Sequence, residues 1–263
     1  MGGAFYEPLG ESRYRSTEHT AGPWSATSQH LGPPSALVVR ELERCAPRDH
    51  MRLARVTVEV LGPVPVADLQ VRAHLERPGR SVELLSAELS AQGRVAIRAR
   101  AWRIARTDTA AVADTAQTRL QPPEQAQPMP IPDGWGRGYL DAMEWRALRG
   151  GFTELGTATV WARPLVDLVD GEPTTDLERL FLVADSASGV SSRLDIRRWL
   201  FINTDLTVHL HRYPVGEWTA LDAATAFGPD GAGVATSVLH DLQGPVGRTA
   251  QVLLVRPRDA AAS

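Results

Sequence analysis

The sequence has almost no cysteine and no long apolar run. Cys45 is its one cysteine, so a disulfide framework within the chain is excluded. No window approaches 18 consecutive apolar residues, which argues against a transmembrane helix. The start also lacks the charged and then apolar segments of a secretory signal. We therefore expect a cytoplasmic protein with no membrane partner.

Basic charge and short catalytic motifs are also scarce. The chain has 28 Lys and Arg against 31 Asp and Glu, a net charge of −3, and no basic stripe, so nucleic acid is not an expected partner. The phosphate-binding glycine loops, the HExxH metalloprotease pair and the GxSxG nucleophile turn are all missing. We expect no cofactor and no activated serine or cysteine.

Two histidines at strand spacing raise the question of a metal. His209 and His211 alternate with apolar residues and should share one face of a strand. They have no adjacent cysteine and no evident third ligand, so we interpret them as surface or structural imidazoles and expect no metal site.

The composition that is present is that of a globular protein, with 43% hydrophobic and 22% charged residues in 263. Residues 107–133 lack periodicity and collect Pro, Gln, Ala and Thr, as is typical of a linker. The sequence therefore predicts an N-terminal domain at 1–106, a linker at 107–133 and a C-terminal domain at 134–263.

Each half has a helix followed by a series of strands. The apolar spacing predicts one helix over residues 32–45, with two prolines at its start, and another over 174–188, with Thr174 and Thr175 as N-cap candidates. Alternating runs predict strands at 51–61, 66–77, 80–90, 94–105, 138–147, 157–164, 194–202, 205–213, 217–227, 232–242 and 247–256. The fold class is α+β.

The two halves also match in sequence order. Residues 56–60 match residues 206–210 at an offset of 150, and after a slip of one residue the pair Gln92 and Gly93 matches Gln243 and Gly244 at 151. This agreement predicts two copies of one α+β unit, with each helix packed on one face of its sheet.

Two polar residues on strands are ambiguous from pattern alone. Asp205 begins a strand and is either an ordinary strand-start carboxylate or an active-site acid. Thr225 is the one hydroxyl on an apolar strand face, where a locally satisfied threonine is the more ordinary interpretation.

A family resemblance favours the functional alternatives. The tandem architecture and a few motifs of the second unit are similar to the double-hotdog acyl-CoA thioesterase II (TesB-like) family. The motifs are Asp205 ahead of Leu210-His211-Arg212, then Glu217-Trp218, then Ala223-Ala224-Thr225, and finally Gln251 ahead of Val255-Arg256. The resemblance implies two tandem hotdog domains, each an antiparallel sheet wrapped around a central helix.

The resemblance also implies an activity and its residues. Asp205, Thr225 and Gln251 would hold and activate the water that hydrolyses an acyl-CoA thioester, with CoA as part of the substrate, in fatty acid metabolism. Chains of this kind are also possible homo-oligomers. The proposed counterparts in the first unit, Arg55, His74 and Arg100, differ in chemistry and favour one site per chain, in the second unit.

Other possibilities stay open at this level. The first is a non-catalytic acyl-CoA or fatty-acyl binding protein, and a weaker one is a hydratase using Asp205 and His209. Oxyanion donors are expected at a helix N-terminus, at residues 174–176 or 32–35. Arg197, Arg198 and Arg212 are candidates to meet coenzyme A phosphates.

Overall fold

The structure, a computed structural model, describes residues 3–23 and 25–258, so the outer ends of the two predicted domains, at residues 1 and 263, lie outside the described residues. Its α-helices are α1 (Gly32–Arg44), α2 (Gly138–Asp141), α3 (Asp176–Ala184) and α4 (Ala187–Val190). Its strands are β1 (Ala4–Gly10), β2 (Arg13–Ser16), β3 (Ala21–Gly22), β4 (Ser25–Gln29), β5 (Met51–Val60), β6 (Asp68–Arg77), β7 (Val82–Ala91), β8 (Arg94–Ala105), β9 (Gln127–Pro128), β10 (Met143–Gly151), β11 (Glu154–Pro164), β12 (Asp167–Val169), β13 (Trp199–Asn203), β14 (Asp205–Leu210), β15 (Thr219–Phe227), β16 (Ala232–Asp241) and β17 (Gly244–Pro257).

One large sheet runs through both halves of the described chain. Its strand order is β12-β1-β2-β6-β7-β8-β5-β14-β17-β16-β15-β11-β10-β9, with β13 also paired to β17. The order on either side of the β5–β14 junction is the same when read outward, so the two halves are related by a pseudo-two-fold axis. Thr207 donates a hydrogen bond to Thr57 (3.2 Å between the hydroxyl oxygens) where these two strands pair.

The strand register gives the repeat a single offset and corrects the slip expected from sequence. Leu89 pairs with Ile97, and Leu239 pairs with Gly247, each 150 residues later. A β-bulge follows each of these pairs at the equivalent place, before Ser90 and before His240. The Gln-Gly match expected at 151 is therefore wrong, because the strand register makes Gln243 the counterpart of Gly93 and the similar turn residues stand one position apart.

The helices α1 and α3 pack side by side and antiparallel on the inner face of the sheet. Leu37, Leu42, Leu180 and Phe181 are fully buried there, as expected from their helical spacing. The start of α1 lies against the end of α3, where a Cβ on Gly32 would come within 2.4 Å of the Leu182 carbonyl oxygen. Glycine at this position is what permits the close approach.

The helix predictions are largely confirmed. Thr175 caps α3 in a capping box, in which its hydroxyl accepts from the Glu178 N–H and the Glu178 carboxylate accepts from the Thr175 N–H. The second helix nevertheless ends early, at Ala184, and Asp185 occupies the position after its last turn. Residues 138–141, predicted as strand, form α2 instead.

The linker segment contains little regular structure. Residues 107–133 hold two short 3-10 turns and β9, which pairs with β10. The domain boundaries at 106 and 134 stay a prediction. No helix in the described ranges is long and apolar enough to cross a membrane.

Candidate active site

Thr225 and Gln251 lie on one row of the second unit's sheet. Both pair with Ala235 of the strand between them, so their side chains leave the same face. Thr225 is 6% exposed and Gln251 is 1% exposed, which places both under the helices. The structure therefore brings together two of the three residues that the sequence singled out.

The hydroxyl of Thr225 faces the end of α4. Its oxygen lies 2.7 Å from the Ser191 hydroxyl oxygen, and the Ser191 hydroxyl donates to the Ala187 carbonyl at 2.7 Å. Because the Ser191 hydrogen is used in that way, the Thr225 hydroxyl is the donor of the pair. The lone pairs of the Thr225 oxygen remain able to accept a further hydrogen bond.

Gln251 is fixed by a buried carboxylate that the sequence analysis did not single out. Its Nε2 donates to Oδ1 of Asp185 at 2.7 Å and to the Asp185 carbonyl at 3.1 Å. The buried Oε1 of the same amide has no hydrogen-bond partner among the described residues. This orientation leaves a buried acceptor beside the carboxylate, where it can bind a donor such as water.

Asp185 is surrounded by donors from both units. Asn203 donates to Oδ1 at 2.8 Å, and the backbone N–H groups of Leu31 and Gly32, at the start of α1, lie near the carboxylate and favour its ionised form. Its side chain is only 5% exposed. Burial raises the pKa of Asp185 to about 7, although the hydrogen bonds from Asn203, Gln251, Leu31 and Gly32 oppose the shift.

His30 completes the surroundings of this carboxylate. Its Nδ1 lies 3.2 Å from Oδ2 of Asp185, and its ring stacks on Tyr139 with centroids 3.8 Å apart. Burial lowers the pKa of His30 to about 3, so the imidazole is neutral at neutral pH. The Gly32 N–H donates to Nδ1 at 3.1 Å, which makes that nitrogen an acceptor.

These contacts define where Asp185 carries its proton. Oδ1 already accepts hydrogen bonds from two side-chain amides, whereas Oδ2 faces the acceptor nitrogen of His30. A proton on Oδ1 would oppose the amide donors, so the proton of Asp185 is placed on Oδ2. The arrangement suits a carboxyl group that gains and loses one proton near neutral pH.

Asp205 lies elsewhere. Its Oδ1 accepts a hydrogen bond from the Val252 N–H at 2.7 Å, and its neighbour Leu206 is fully buried toward the helices. Because side chains alternate along a strand, Asp205 points to the outer face, away from Gln251. The structure thus does not bring Asp205 together with Thr225 and Gln251.

A physical signal for Asp185 was present in the sequence. It directly follows an apolar helical run that ends at Ala184, and an acidic residue at a helix C-terminus is disfavoured by the helix dipole. An acidic residue at a helix C-terminus, between the small residues Ala184 and Ser186, is therefore a candidate for a functional role. Its partners could not be found in this way, because His30, Asn203 and Gln251 are far apart in the chain.

The register also changes the comparison with the first unit. At the offset of 150, the counterparts of Thr225 and Gln251 are Leu75 and Ala101, which sit in one cross-strand row with Leu85. The counterparts expected from sequence, His74 and Arg100, were wrong by one residue and point to the outer face. The corrected contrast is between polar and apolar side chains on the same inner face.

The two helix N-termini expected to supply oxyanion donors are both engaged. At the start of α3, Thr175 is held in its capping box, while Thr174 donates to Asp167 and accepts from the Leu168 N–H. At the start of α1, the Gly32 N–H donates to Nδ1 of His30 at 3.1 Å.

A cavity of about 780 Å³ opens in the second unit beside α4. Its lining includes the aromatic side chains of Trp135, Phe152 and Phe201. A series of ring contacts leads from it toward Asp185: Trp135–Phe152 at 5.4 Å, Phe152–Trp145 at 5.2 Å, Trp145–Tyr139 at 6.1 Å and then Tyr139–His30. Apolar surface therefore approaches the buried carboxylate from this side.

The remaining arginine and histidine candidates have different surroundings. Arg197 lines the same cavity and its side chain is 88% exposed. Arg212 instead makes a two-pronged ion pair with the buried Asp241, at 2.6 and 2.7 Å, and is committed to the fold. His211 contacts the Pro245 carbonyl oxygen at 3.1 Å, and His209 is exposed. In the described part of the chain, no group of three or more His, Cys, Asp or Glu side chains is arranged to hold a metal ion.

Comparison with protein families gives two matches that together span most of the chain. Residues 20–104 match the family described as acyl-CoA thioesterase N-terminal domain, and residues 123–255 match the acyl-CoA thioesterase C-terminal domain. A search of curated proteins finds no match.

Solved structures share the fold over nearly the whole length. A hotdog-fold protein from Alicyclobacillus acidocaldarius superposes with a TM-score of 0.75 at 16% identity, covering 97% of this chain and 96% of the other. A tesB protein from Mycobacterium avium subs paratuberculosis gives 0.69 at 14%, with 96% of each chain covered. An acyl-CoA thioesterase II from Mycobacterium marinum gives 0.64 at 16%, covering 98% and 97%. The double-hotdog α+β fold expected from sequence is confirmed.

Proposed function

Because the chain belongs to the acyl-CoA thioesterase family, we propose that it hydrolyses acyl-CoA thioesters to a free acid and coenzyme A, with Asp185 as the general base. One observation carries the assignment of the base: a buried carboxyl with a pKa of about 7 beside the unpartnered Oε1 of Gln251. A general base is most effective when its pKa is close to the working pH. In this proposal Asp185 takes the place that the sequence analysis gave to Asp205.

The first step is attack by water on the thioester carbonyl carbon. Oε1 of Gln251 accepts one hydrogen bond from the water, and Oδ2 of Asp185 accepts the proton that the water gives up as its oxygen bonds to carbon. The Gln251 amide cannot turn over without breaking its bonds to Asp185, so it presents this acceptor in a fixed direction.

The second step breaks the carbon–sulfur bond. The tetrahedral intermediate collapses to the free acid, and the bonding electrons leave with sulfur as the coenzyme A thiolate. Asp185 then returns its proton to the thiolate, which restores the carboxylate. Between the steps the proton is held on Oδ2 of Asp185, because Oδ1 accepts hydrogen bonds from the Asn203 and Gln251 amides.

Thr225 and the cavity position the substrate. The Thr225 oxygen, whose own hydrogen is donated to Ser191, acts as an acceptor on the same row as Gln251. The aromatic cavity suits an apolar acyl chain, and the exposed Arg197 at its wall is placed to meet a phosphate group of coenzyme A.

The test is a thiol-release assay over acyl-CoA esters of increasing chain length. We expect hydrolysis by the wild type and a loss of about 1,000-fold in kcat/KM for Asp185→Asn, which keeps the size of the side chain but cannot accept a proton. Asp205→Asn is the matched control on the outer face and should keep nearly full activity.

Two results would overturn the proposal. Equal losses in both variants, or a loss only in Asp205→Asn, would refute Asp185 as the base. Tight acyl-CoA binding by titration without thiol release at any chain length would instead establish the non-catalytic binding protein.

A further inference from the structure

The equivalent strands β6 and β15 are covered differently on the side away from the centre of the sheet. In the second unit β11 pairs with β15 from Thr219 to Ala223, and the end of α4 lies beside the next part of β15, where Ser191 contacts Thr225. In the first unit the equivalent partner, β2, pairs with β6 only at residues 68–70. The described chain also has no helix between α1 and β5 that would replace α4. The rest of β6 therefore lacks a neighbour on this side.

The uncovered part of β6 begins after Val71, whose N–H donates to the Ser12 carbonyl oxygen at 3.0 Å. Because the backbone groups of successive strand residues point to opposite sides, those of Ala73 and Leu75 point to the same side as those of Val71, and those of the residues between them bond to β7. On this open side, no group of the described residues bonds to the N–H or C=O of Ala73 or Leu75. Four backbone groups are thus available to a further strand, before the β-bulge that follows Leu75.

A cavity of about 730 Å³ lies beside this open stretch. It is bounded by the turn between β1 and β2, by β6 and by the end of α1, and its lining includes Tyr14, Val71 and Ala73. We call the open stretch of β6 and this cavity the β6 groove. In the second unit β11 places the fully buried side chains of Ala158 and Val160 opposite the counterparts of Ala73 and Val71. The first unit has the space but lacks the strand.

The charges on the outer face of this edge are basic. Arg13 pairs with Gln70, and Arg72 follows two residues later on the same face of β6. Neither arginine forms an ion pair with a carboxylate of the described residues, and the carboxylate opposite Arg72, that of Glu88, is bound by Arg98 at 2.8 Å. An added strand therefore meets two arginines whose charge is not balanced by a direct partner.

The inner side of the β6 groove favours apolar side chains. Glu41, a buried carboxylate in its wall, accepts hydrogen bonds from the Tyr14 hydroxyl at 2.6 Å and the Ser12 hydroxyl at 2.7 Å. The carboxylate of Glu172 is bound by two arginines of α1. Because both carboxylates already have partners, an entering side chain needs no positive charge, and the apolar part of the lining can pack against it.

We propose that the β6 groove binds an extended peptide segment of a partner protein, in which acidic side chains alternate with apolar ones. The segment lies antiparallel to β6, in the position that β11 has in the second unit. Its apolar residues, opposite Ala73 and Leu75, exchange backbone hydrogen bonds with them and turn their side chains into the cavity. Its acidic residues lie on the outer face and meet Arg13 and Arg72.

The β6 groove is remote from the proposed active site. Helix α1 has 13 residues, begins near Asp185 and ends at the cavity, so about 20 Å separates the two places. The inference therefore does not depend on thioester hydrolysis. A second copy of the chain fits the edge less well, because pairing of two β6 edges would bring the arginines of both copies together.

The probe is a fluorescein-labelled peptide of about eight residues in which glutamate and valine alternate, and fluorescence anisotropy measures its binding to the full chain. We expect saturable binding with a dissociation constant below about 100 µM. Methylation of the valine amides, which point to β6, should abolish binding, whereas methylation of the glutamate amides, which point to solvent, should change the dissociation constant less than about twofold. A peptide with lysine in place of glutamate should bind at least about 10-fold more weakly.

Two variants of the protein test the edge itself. Ala73→Pro removes an N–H that is not used in pairing with β7, so the fold should be kept while the dissociation constant rises at least about 10-fold. Arg72→Glu should weaken binding of the glutamate peptide and strengthen binding of the lysine peptide. The matched control, Arg119→Glu, makes the same charge change in the exposed linker and should alter neither. Circular dichroism and melting curves establish that each variant is folded.

Four results would refute the proposal. Three of them are the absence of saturable binding of the glutamate peptide, an equal loss for the two methylated peptides, and unchanged affinities for both peptides in Arg72→Glu. The fourth is a smaller assembly mass for Ala73→Pro than for the wild type by sedimentation equilibrium, which would assign the edge to a second copy of the chain.

Discussion

The two units share one backbone frame but differ on the face that meets the helices. At equivalent positions the second unit has Thr225, Ser237, Thr249 and Gln251, all buried, where the first unit has Leu75, Ala87, Ala99 and Ala101. Buried polar groups are unfavourable unless they are hydrogen-bonded. Their concentration in one copy of a repeated fold supports the proposal that the active site lies in the second unit.

The two ends of the pair formed by α1 and α3 also differ in how their buried charged groups are balanced. At one end, Asp185, which directly follows α3, is held by amides beside a neutral imidazole. At the other, Arg40 of α1 is buried between the carboxylates of Glu178 and Glu172, which balance its charge. The second arrangement is an ion-pair network whose charges are satisfied internally, whereas the first leaves a carboxyl that titrates near neutral pH.

The comparison teaches how a repeated fold keeps its framework in both copies while buried polar residues differ between them. The sheet, the bulges and the helix packing are kept in both copies, because they depend on apolar burial and strand register. The polar residues of the site are confined to one end of the helix pair, where residues of both units meet.

The largest effect is expected when the second unit is given the first unit's residues. The variant Thr225→Leu with Gln251→Ala copies Leu75 and Ala101, removes the acceptor beside Asp185 and the hydroxyl on the same row, and should lower kcat/KM about 1,000-fold while the fold is kept. Thioester hydrolysis and circular dichroism measure the two properties. The converse variant, Leu75→Thr with Ala101→Gln, should leave kcat/KM unchanged, and a large loss there would contradict the assignment to one unit.

The next effect concerns the raised pKa of Asp185. The folded protein keeps a proton on this carboxyl up to a pH of about 7, whereas the unfolded chain loses it near its usual pKa of 3.8. The protonated carboxyl therefore favours the folded state at low pH. This contribution to the free energy of unfolding, about 4 kcal/mol at most, is fully present below the usual pKa of 3.8 and is lost as the pH rises through about 7. Asp185→Asn should therefore raise the melting temperature more at about pH 8.5 than at about pH 5, by calorimetry.

The same titration should appear in catalysis. Because the base must be deprotonated, kcat/KM of the wild type should rise with pH through about 7. A profile that is flat between about pH 5 and about pH 9, or a stability difference independent of pH, would show that Asp185 does not titrate in this range.

A smaller effect is expected at the opposite end of the helix pair. Arg40→Met leaves the buried Glu178 without its cation and should lower the free energy of unfolding by about 3 kcal/mol. The nearby Arg44, which is half exposed, is the matched control, and Arg44→Met should cost less than about 1 kcal/mol. Denaturant titration gives both values, and equal losses would mean that burial does not decide the strength of these pairs.

The smallest effect is expected on the outer face of the first unit. Arg98 and Glu88 pair at 2.8 Å across two strands, but both side chains are largely exposed. Arg98→Ala should therefore change the free energy of unfolding by less than about 1 kcal/mol, as measured by urea denaturation. A loss of several kcal/mol would indicate that these cross-strand pairs hold the polar face together as a network.

Much of the architecture was predictable because it depends on local patterns. The prolines at the start of α1, the capping box of Thr175 and Glu178, and the alternation along β15 to β17 each specify an element by its neighbours in sequence. The helix at residues 138–141 was missed because four residues are too few to show a helical period.

The site was predictable only in part. Thr225 and Gln251 followed from the resemblance to a family, and the structure places them on one row. Asp205 followed from the same resemblance, but the structure directs it outward, while Asp185 reaches Gln251 from the end of α3.

The sequence by itself determined that the chain is a tandem repeat of a helix and an antiparallel sheet, because periodicity and turn residues are local. Only the tertiary structure decided that Asp185, and not Asp205, is the carboxylate buried beside Gln251. Its environment is made by His30, Asn203 and Gln251, which come together when two antiparallel helices meet across the pseudo-two-fold axis, and the pKa of a carboxyl depends on that environment rather than on its neighbours in the chain.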